Sequence, residues 1–438
     1  MTSPIRKLST QEQGFEETLQ GLLDWQDATD HNVVEIVSNV ITQVRKQGDQ
    51  AVLELTEKFD GLEAPSIANL EISKEQLEQA KTRISQHHLD ILERSAARIK
   101  HYHEHQREQS WSFEDDLGNH LGQKISPLEN VGVYVPGGQA SYPSSVLMTL
   151  IPAKVAGVEN LIVTVPTPQG IQNDMVLAAL AVAGADRVFT IGGAQAVAAL
   201  AYGTESIPRV DKIVGPGGAF VAEAKKQVFG QVGIDIIAGP SEVLIIADGT
   251  TNPEWAALDL FSQAEHDAAA QAILLSPNRE FIDTVAQHMT DRLPSMQRAE
   301  TIEASLKNRG ALIETNDLDE AIRLANQIAP EHLELHVQSP EQLVDKIKHA
   351  GAIFCGAYAG ETLGDYVAGP SHVLPTFGTA RYGSPLGVYD FVKRSSVIHI
   401  SAQGAAELAD IAVPFAETEG LQAHGLAAAL RAQQNSSS

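Results

Sequence analysis

The sequence predicts an α/β protein built on two Rossmann-like, mainly parallel sheets, with a small N-terminal arm and a small C-terminal domain attached. Three observations predict this. Short β-rich runs at 131–135, 161–165, 187–191, 210–214 and 234–237 alternate with alanine-rich helical stretches, the pattern of βαβ units on a parallel sheet. A second alternation fills 243–376, with strand candidates at 243–247, 270–275, 333–337 and 352–354. The chain has 438 residues, 43% of them hydrophobic, which is enough for two cores.

Taken in order, residues 1–30 are polar with scattered Leu, Phe and Trp and read as a helical arm that docks elsewhere. From Val33 the apolar positions Val34, Ile36, Val37, Val40, Ile41 and Val44 form a helical stripe, continued by Val52, Leu53 and Leu55 after Gly48. One long helical stretch is expected over 73–109. The glycine-rich turns Pro136-Gly137-Gly138 and Gly215-Pro216-Gly217-Gly218 follow two strands, where backbone approaches a ligand. Phe220 occupies the third glycine position of the dinucleotide fingerprint, so strict Rossmann binding is not supported and a nucleotide-like ligand stays open. Helices are expected at 253–266, 278–291, 317–328, 340–349 and 404–412, and a short β-like pair at 387–391 and 397–400. The expected organisation is an arm at 1–30, a discontinuous main α/β domain of 31–133 with 243–386, a second Rossmann-like domain at 134–242, and a dimerisation domain at 387–438. Small attachments at both ends, neither large enough for its own core, suggest an intertwined dimer.

Composition excludes several classes. The chain carries 56 acidic against 31 basic residues, a formal charge of -25, which repels nucleic acid and anionic membrane. No apolar run is long enough to span a bilayer and the polar N-terminus lacks a secretory core, so a cytoplasmic protein is expected. Cys355 is the only cysteine, which rules out an intrachain disulfide or a multi-cysteine metal site. Its setting, Ala352-Ile353-Phe354-Cys355-Gly356, reads as the end of a buried strand, with a structural cysteine.

The chemistry gathers in polar residues set in turns. On a helix opened by Pro253, with Trp255, Leu258, Leu260 and Phe261 on its buried side, Gln263 and His266 share a face. They are either a local hydrogen-bonded pair or part of a ligand site. The run Ala329-Pro330-Glu331-His332 places a carboxylate and an imidazole in the turn before a strand, where both can face one cleft and divide proton transfers between them. The plainer alternative leaves Glu331 exposed and His332 capping a helix. Asp365, His372 and His424 extend the pool of oxygen and nitrogen ligands for a zinc-class ion. His87, His88, His101, His103 and His105 lie in a charged stretch with no apolar wall and read as solvated surface. Residues alone carry this to an enzyme with a candidate metal site.

Over nearly its whole length the chain resembles the histidinol dehydrogenase family. The resemblance rests on Tyr134-Val-Pro-Gly-Gly138, Ile191-Gly-Gly-Ala-Gln195, Gly239-Pro-Ser-Glu242, Ser262-Gln-Ala-Glu-His266, Ala329-Pro-Glu-His332, Gly364-Asp-Tyr366, His372-Val-Leu-Pro-Thr376 and Glu419-Gly-Leu-Gln-Ala-His424. It implies oxidation of L-histidinol through L-histidinal to L-histidine with two NAD and one zinc ion per subunit. Zinc there orients substrate and does not activate water directly. The implied zinc ligands are Gln263, His266, Asp365 and His424. His332 is implied as general base and Glu331 as activator of water. Ser241, Glu361, His372 and Glu419 join them as substrate-pocket residues, with Tyr134, Gln195 and Gly218 at the cofactor. The resemblance also implies a homodimer in which Glu419 and His424 enter the partner's site.

Three positions depart from the family pattern. Gly218 and Ser371 each replace an asparagine, and Gln139 replaces a lysine. The alternatives are an NAD-dependent dehydrogenase of another polar alcohol on the same fold, or a non-catalytic metal- or nucleotide-binding module. The acids Glu361, Asp365 and Glu419 in the motif loops favour a cationic amino alcohol.

Overall fold

The computed structural model describes residues 4–24, 31–137 and 142–433. Gly138 and Gln139, part of the expected arm and the last residues of the tail lie outside the described residues.

In chain order, β1 (Arg6–Ser9) and α1 (Phe15–Leu23) come first, and the stripe expected from Val33 folds as α2 (His31–Gln47) and α3 (Asp49–Asp60). After β2 (Glu71–Ile72), the single long helix expected at 73–109 is two, α4 (Lys74–Arg83) and α5 (Gln86–Glu104). The break has a local cause: Ser85 caps α5, its hydroxyl accepting the His88 N–H at 3.2 Å. Two strands absent from the sequence reading follow, β3 (Trp111–Glu114) and β4 (His120–Pro127).

The first alternation is β5 (Asn130–Tyr134), α6 (Pro143–Ala156), β6 (Asn160–Thr164), α7 (Asp174–Ala183), β7 (Arg187–Phe189), α8 (Gly193–Tyr202), β8 (Lys212–Val214), α9 (Ala219–Val228) and β9 (Gly233–Ile234). The second begins with β10 (Glu242–Ala247), α10 (Pro253–Ala264), β11 (Gln271–Ser276), α11 (Arg279–Arg292), α12 (Ala299–Arg309) and β12 (Gly310–Glu314). It continues through α13 (Leu318–Ile328), β13 (His332–His336), α14 (Glu341–Val344), β14 (Ala352–Cys355) and α15 (Glu361–Leu363). The chain closes with β15 (Val392–His399), α16 (Ala402–Thr418) and α17 (Gln422–Gln433). The strand expected at 387–391 is instead a short 3-10 turn, Val388–Phe391.

These elements form two compact units, 1–106 with 128–391 and 107–127 with 392–438. In the first unit, one six-stranded sheet has the order β2-β7-β6-β5-β8-β9 and the other β1-β12-β11-β10-β13-β14. Every pairing in both is parallel except β2 with β7. In each sheet an early strand, β2 or β1, lies at one edge; the alternation then begins at a middle strand, β5 or β10, winds outward to that edge, and returns to the other side. The winding reverses between β5 and β8 and between β10 and β13, and open sheets bind ligands at such a reversal.

The packing groups the chain differently from the sequence. Val37, Val40, Val52 and Leu55 of α2 and α3 pack with Tyr134, Ile162 and Leu200, so these two helices go with the 134–242 sheet and not with 243–386. A parallel sheet has two apolar faces, and helices before β5 are needed to cover the first. Phe15, Leu19 and Leu22 of α1 pack with Ile273, Leu275 and Ile313 of the second sheet. The smaller unit holds the sheet β15-β4-β3 and the packed pair α16 and α17. The hairpin of β3 and β4 therefore joins the C-terminal segment, and the boundary falls at 392.

Candidate active site

A cleft of about 650 Å³ opens in the first unit. One wall comes from segments that follow strands of the first sheet: Pro136 after β5, Pro216 to Gly218 after β8, and Ile236 and Ile237 after β9. The other comes from segments that precede strands of the second sheet: Ala238 to Ser241 before β10, His266 and Asp267 before β11, and Glu331 before β13. The carboxyl end of one sheet therefore faces the amino end of the other.

Glu331 and His332 sit where α13 passes into β13. Ala329 ends α13 in the left-handed region at φ 54°, which turns Pro330 and Glu331 back toward the cleft. The His332 Nδ1–H donates to the Glu242 carbonyl at 2.9 Å, and that bond fixes the tautomer with Nε2 free to accept a proton. Nε2 is buried with no hydrogen-bond partner among the described residues and lies 3.9 Å from Asp365 Oδ1. Burial holds the ring's pKa below the ordinary histidine value, so the imidazole is neutral and able to act as a base. Glu331 Oε2 is 3.6 Å from Nδ1 and accepts the Glu242 N–H at 2.8 Å. Burial, then the charges of Glu242 and Asp365, push the Glu331 carboxyl well above its usual range. The pair faces one cleft, as the first of the two sequence readings required.

Glu242, the first residue of β10, is raised to about 7 by burial, and its Oε1 accepts the Phe377 N–H at 2.6 Å. Phe377 is itself at φ 57°, and its ring packs where a Cβ on Gly239 would stand, 2.0 Å from Phe377 Cζ. Only glycine fits at 239. The tight turn before β10 thereby brings Ser241 to the cleft.

The third group comes from α10 and α15. Residues Ala256, Ala257, Leu260, Phe261 and Gln263 form the buried side of α10, whereas Trp255 and Leu258 are exposed, contrary to expectation. Ala256, Ala257, Leu260 and Phe261 pack into the core of the second sheet, and only Trp255 and Leu258 of the predicted stripe turn outward. The helix ends at Ala264, so His266 lies in the following turn, its N–H donating to the Gln263 carbonyl at 3.2 Å. With its amide nitrogen facing Glu361, Gln263 donates to Glu361 Oε1 at 2.5 Å and Oε2 at 2.7 Å. Burial, then Asp365 and Glu334, raise the Glu361 carboxyl well above its usual range. One donor atom each from His266, Glu361 and Asp365 falls within 4.8 Å of the others, an oxygen and nitrogen set suited to zinc.

Asp365 sits in a single π turn, Gly364–Ala368, gripped by α5: the Ser95 hydroxyl donates to the Tyr366 carbonyl, and Arg98 Nε donates to that of Val367 at 2.6 Å. The His372 Nδ1–H donates to the Asp365 carbonyl at 3.0 Å, and Nε2 accepts from the Ser145 hydroxyl at 3.1 Å. Ser371 turns away, its hydroxyl donating to the Met148 carbonyl at 3.2 Å.

On the other wall, Gly215 at φ 111° lets its turn pass over β5; a Cβ there would lie 2.1 Å from the Tyr134 carbonyl oxygen. The Tyr134 hydroxyl accepts the Gly193 N–H at 3.2 Å, and burial pushes the phenol up to about 12. Gln195 is 1% exposed, yet neither amide atom has a hydrogen-bond partner among the described residues. Gln195 is not among the described residues that line the cleft, whereas Pro216, Gly217 and Gly218 are. Gly218 caps α9 with nothing within 4 Å of an added Cβ.

Glu419 and His424 belong to the smaller unit, where both are exposed around the junction of α16 and α17. Of the histidine run, four are exposed, but His103 is buried and its Nδ1–H donates to the Ile99 carbonyl at 2.8 Å. Cys355 is exposed, because β14 is an edge strand. Sequence reasoning missed Glu242, Ser145, Glu334, His336 and Asp259. For Glu334 and His336 a signal existed, since His332-Leu-Glu334-Leu-His336 places three polar side chains on one face of a strand that lies inside the sheet.

A protein-family model described as histidinol dehydrogenase matches residues 24–432. Histidinol dehydrogenase of Pseudomonas syringae pv. syringae is 57% identical over 433 residues, covering 98% of this chain and 97% of the relative. That of Pseudomonas aeruginosa is also 57% identical over 433 residues, covering 98% of each. The crystal structure of histidinol dehydrogenase from Elizabethkingia anophelis superposes with a TM-score of 0.94 at 31% identity, covering 100% of both chains.

Proposed function

The chain belongs to the histidinol dehydrogenase family, a family of oxidoreductases, and from that premise we propose that it converts L-histidinol through L-histidinal to L-histidine. Over the two oxidations one L-histidinol, one water and two NAD give L-histidine, two NADH and three protons. One observation carries the reading: a buried neutral imidazole and a high-pKa carboxyl, His332 and Glu331, open onto a cleft whose other wall has the glycine turn Pro216 to Gly218.

The residues fit both groups that the family implies. His266, Glu361 and Asp365 would hold zinc, with Gln263, which the family implies as a ligand, hydrogen-bonded to Glu361 beside them; Tyr134, Gln195 and the Gly215 turn would hold NAD. When bound, NAD supplies the hydride acceptor and zinc a fixed attachment for the substrate's amine and imidazole nitrogens. His332 Nε2 takes the hydroxyl proton in the first oxidation. Glu331 takes a proton from the water that adds to the aldehyde carbon, and His332 takes the proton of the resulting gem-diol in the second. The raised carboxyl suits this task, because a stronger base removes a proton from water more readily. Glu361 and Asp365 draw in the cationic amino alcohol, and His372, kept neutral by burial, borders its site. Holding the aldehyde between two steps demands that it not diffuse away, and fixed polar groups lining the cleft, among them Ser241, Glu361 and His372, serve that end.

The active assembly we infer is a homodimer in which Glu419 and His424 complete the partner's site. Within the smaller unit, α16 and α17 expose Ile411, Phe415, Leu426 and Leu430, an apolar surface that supports a partner of that kind. Among the described residues no helix is long and apolar enough to cross a membrane. The deciding experiment counts NADH formed per L-histidinol consumed by zinc-loaded protein. Two, with L-histidine as product, are expected; no NADH at all would sink the reading.

A further inference from the structure

Behind the site, Glu334, His336 and Asp259 form a group of side chains that the proposed chemistry does not use. His332, Glu334 and His336 alternate along β13 and share one face, while Leu333 and Leu335 enter the core on the other. Glu334 is fully buried, and its Oε1 accepts the backbone N–H of Glu361 at 2.7 Å. Its Oε2 stands 3.1 Å from His336 Nε2, which is 3.7 Å from Asp259 Oδ2; neither Oε2 nor Nε2 meets hydrogen-bond geometry with a described residue, so these links are electrostatic. Asp259 is one turn before Gln263 on α10, and the Gln263 amide grips both oxygens of Glu361. A closed circuit therefore runs from Glu334 to Glu361, Gln263, along α10 to Asp259, and through His336 back to Glu334.

We propose that Glu334 is a positioning residue: its carboxylate fixes the first turn of α15 and thereby sets where the Glu361 side chain stands in the substrate cleft, while His336 and Asp259 hold Glu334 in place. This rests on the reading of the cleft as an L-histidinol site. The helix α15 spans three residues and has no side-chain cap of its own, so the buried Glu361 N–H depends on this one acceptor. Without it, Glu361 loses its anchor on the side opposite Gln263.

Asp259, Glu334 and His336 also bring donor atoms within 4.8 Å of one another, which raises the question of a second cation. Two features weigh against it. One oxygen of Glu334 is committed to Glu361, and His336 Nδ1 has no hydrogen-bond partner among the described residues, whereas a ligating imidazole is normally anchored through its other nitrogen.

The test compares Glu334→Ala with Glu334→Gln in the zinc-loaded full chain, reading KM for L-histidinol, KM for NAD, kcat and zinc retained against a competing chelator. Glu334→Ala is expected to raise KM for L-histidinol about ten-fold or more with KM for NAD unchanged, since misplacing a positioning contact weakens one substrate only. Glu334→Gln is expected to stay within about three-fold of the unsubstituted protein, because its amide oxygen still accepts the Glu361 N–H. Equal damage in both variants, or an unchanged KM in Glu334→Ala, would overturn the proposal. If Glu334→Ala does not fold, His336→Ser takes its place: a rise in KM for L-histidinol alone supports the proposal, and no change overturns it. Two zinc ions per unsubstituted chain falling to one in His336→Ala would also overturn it, in favour of a second cation site. An unsubstituted protein inactive on L-histidinol counts against the functional reading alone. Zinc retention then decides this proposal, with loss in Glu334→Ala and preservation in Glu334→Gln expected, and equal retention in both overturning it.

Discussion

The two sheets of the larger unit share one winding order but turn opposite ends to the cleft, and the difference assigns each wall its charge. After β5 and β8 the chain enters α6 and α9, so helix N-termini with free N–H groups border the first wall, and Lys226 of α9 lines it. Before β11 and β13 the chain leaves α10 and α13, so helix C-termini border the second, together with Glu331, Glu361 and Asp365. One wall suits the anionic pyrophosphate of a dinucleotide, the other a metal ion and a cationic amino alcohol. Topology alone does not choose a ligand; the end of the sheet that is presented does.

If the walls divide the work in this way, substitutions on each should spare the other. The largest effect is expected from His332→Asn, which should lower kcat by about 10²–10⁴-fold, the usual worth of a general base, while NADH affinity measured by fluorescence titration stays constant. An equal loss of NADH affinity would break the division. Next, Asp365→Ala should cost at least about 10–100-fold in zinc affinity by chelator competition, again without touching NADH binding. From the opposite side, Gly215→Ala forces a Cβ against the Tyr134 carbonyl at positive φ and should raise KM for NAD about ten-fold, the equivalent of roughly 1.4 kcal/mol of strain, with L-histidinol affinity preserved in equilibrium binding. The smallest change sharpens the comparison. Gly218→Asn has open space and should lower KM for NAD by about 2–10-fold through one regained hydrogen bond.

Periodicity made the alternating strands of both sheets legible, because buried parallel strands are continuous apolar runs such as 243–247 and 161–165. Grouping them was harder. Sequence adjacency put α2 and α3 with the wrong sheet, since which face a helix covers is decided by tertiary contact and not by its own stripe. The strand β12, Gly310–Glu314, escaped notice: it follows α12 directly, Gly310 being both the cap of the helix and the first residue of the strand, so no loop separates them. In the candidate site, Glu331 with His332 and Gln263 with His266 stood out as polar pairs in or beside apolar elements. Glu242 did not, although its motif was in view, because a carboxyl at a strand's first residue ordinarily looks solvated. Its burial depends on Phe377, 135 residues away in sequence.

Cys355 closes β14 on the exposed edge of the second sheet, and it is the chain's sole thiol. Burial and the charge of Glu341 push its pKa up, so it alkylates slowly at neutral pH and faster in mild alkali. A maleimide dye or nitroxide added to the unaltered protein would therefore attach once per chain. Labelled and unlabelled preparations, mixed and followed by energy transfer, would time how fast subunits trade places, with no engineered cysteine.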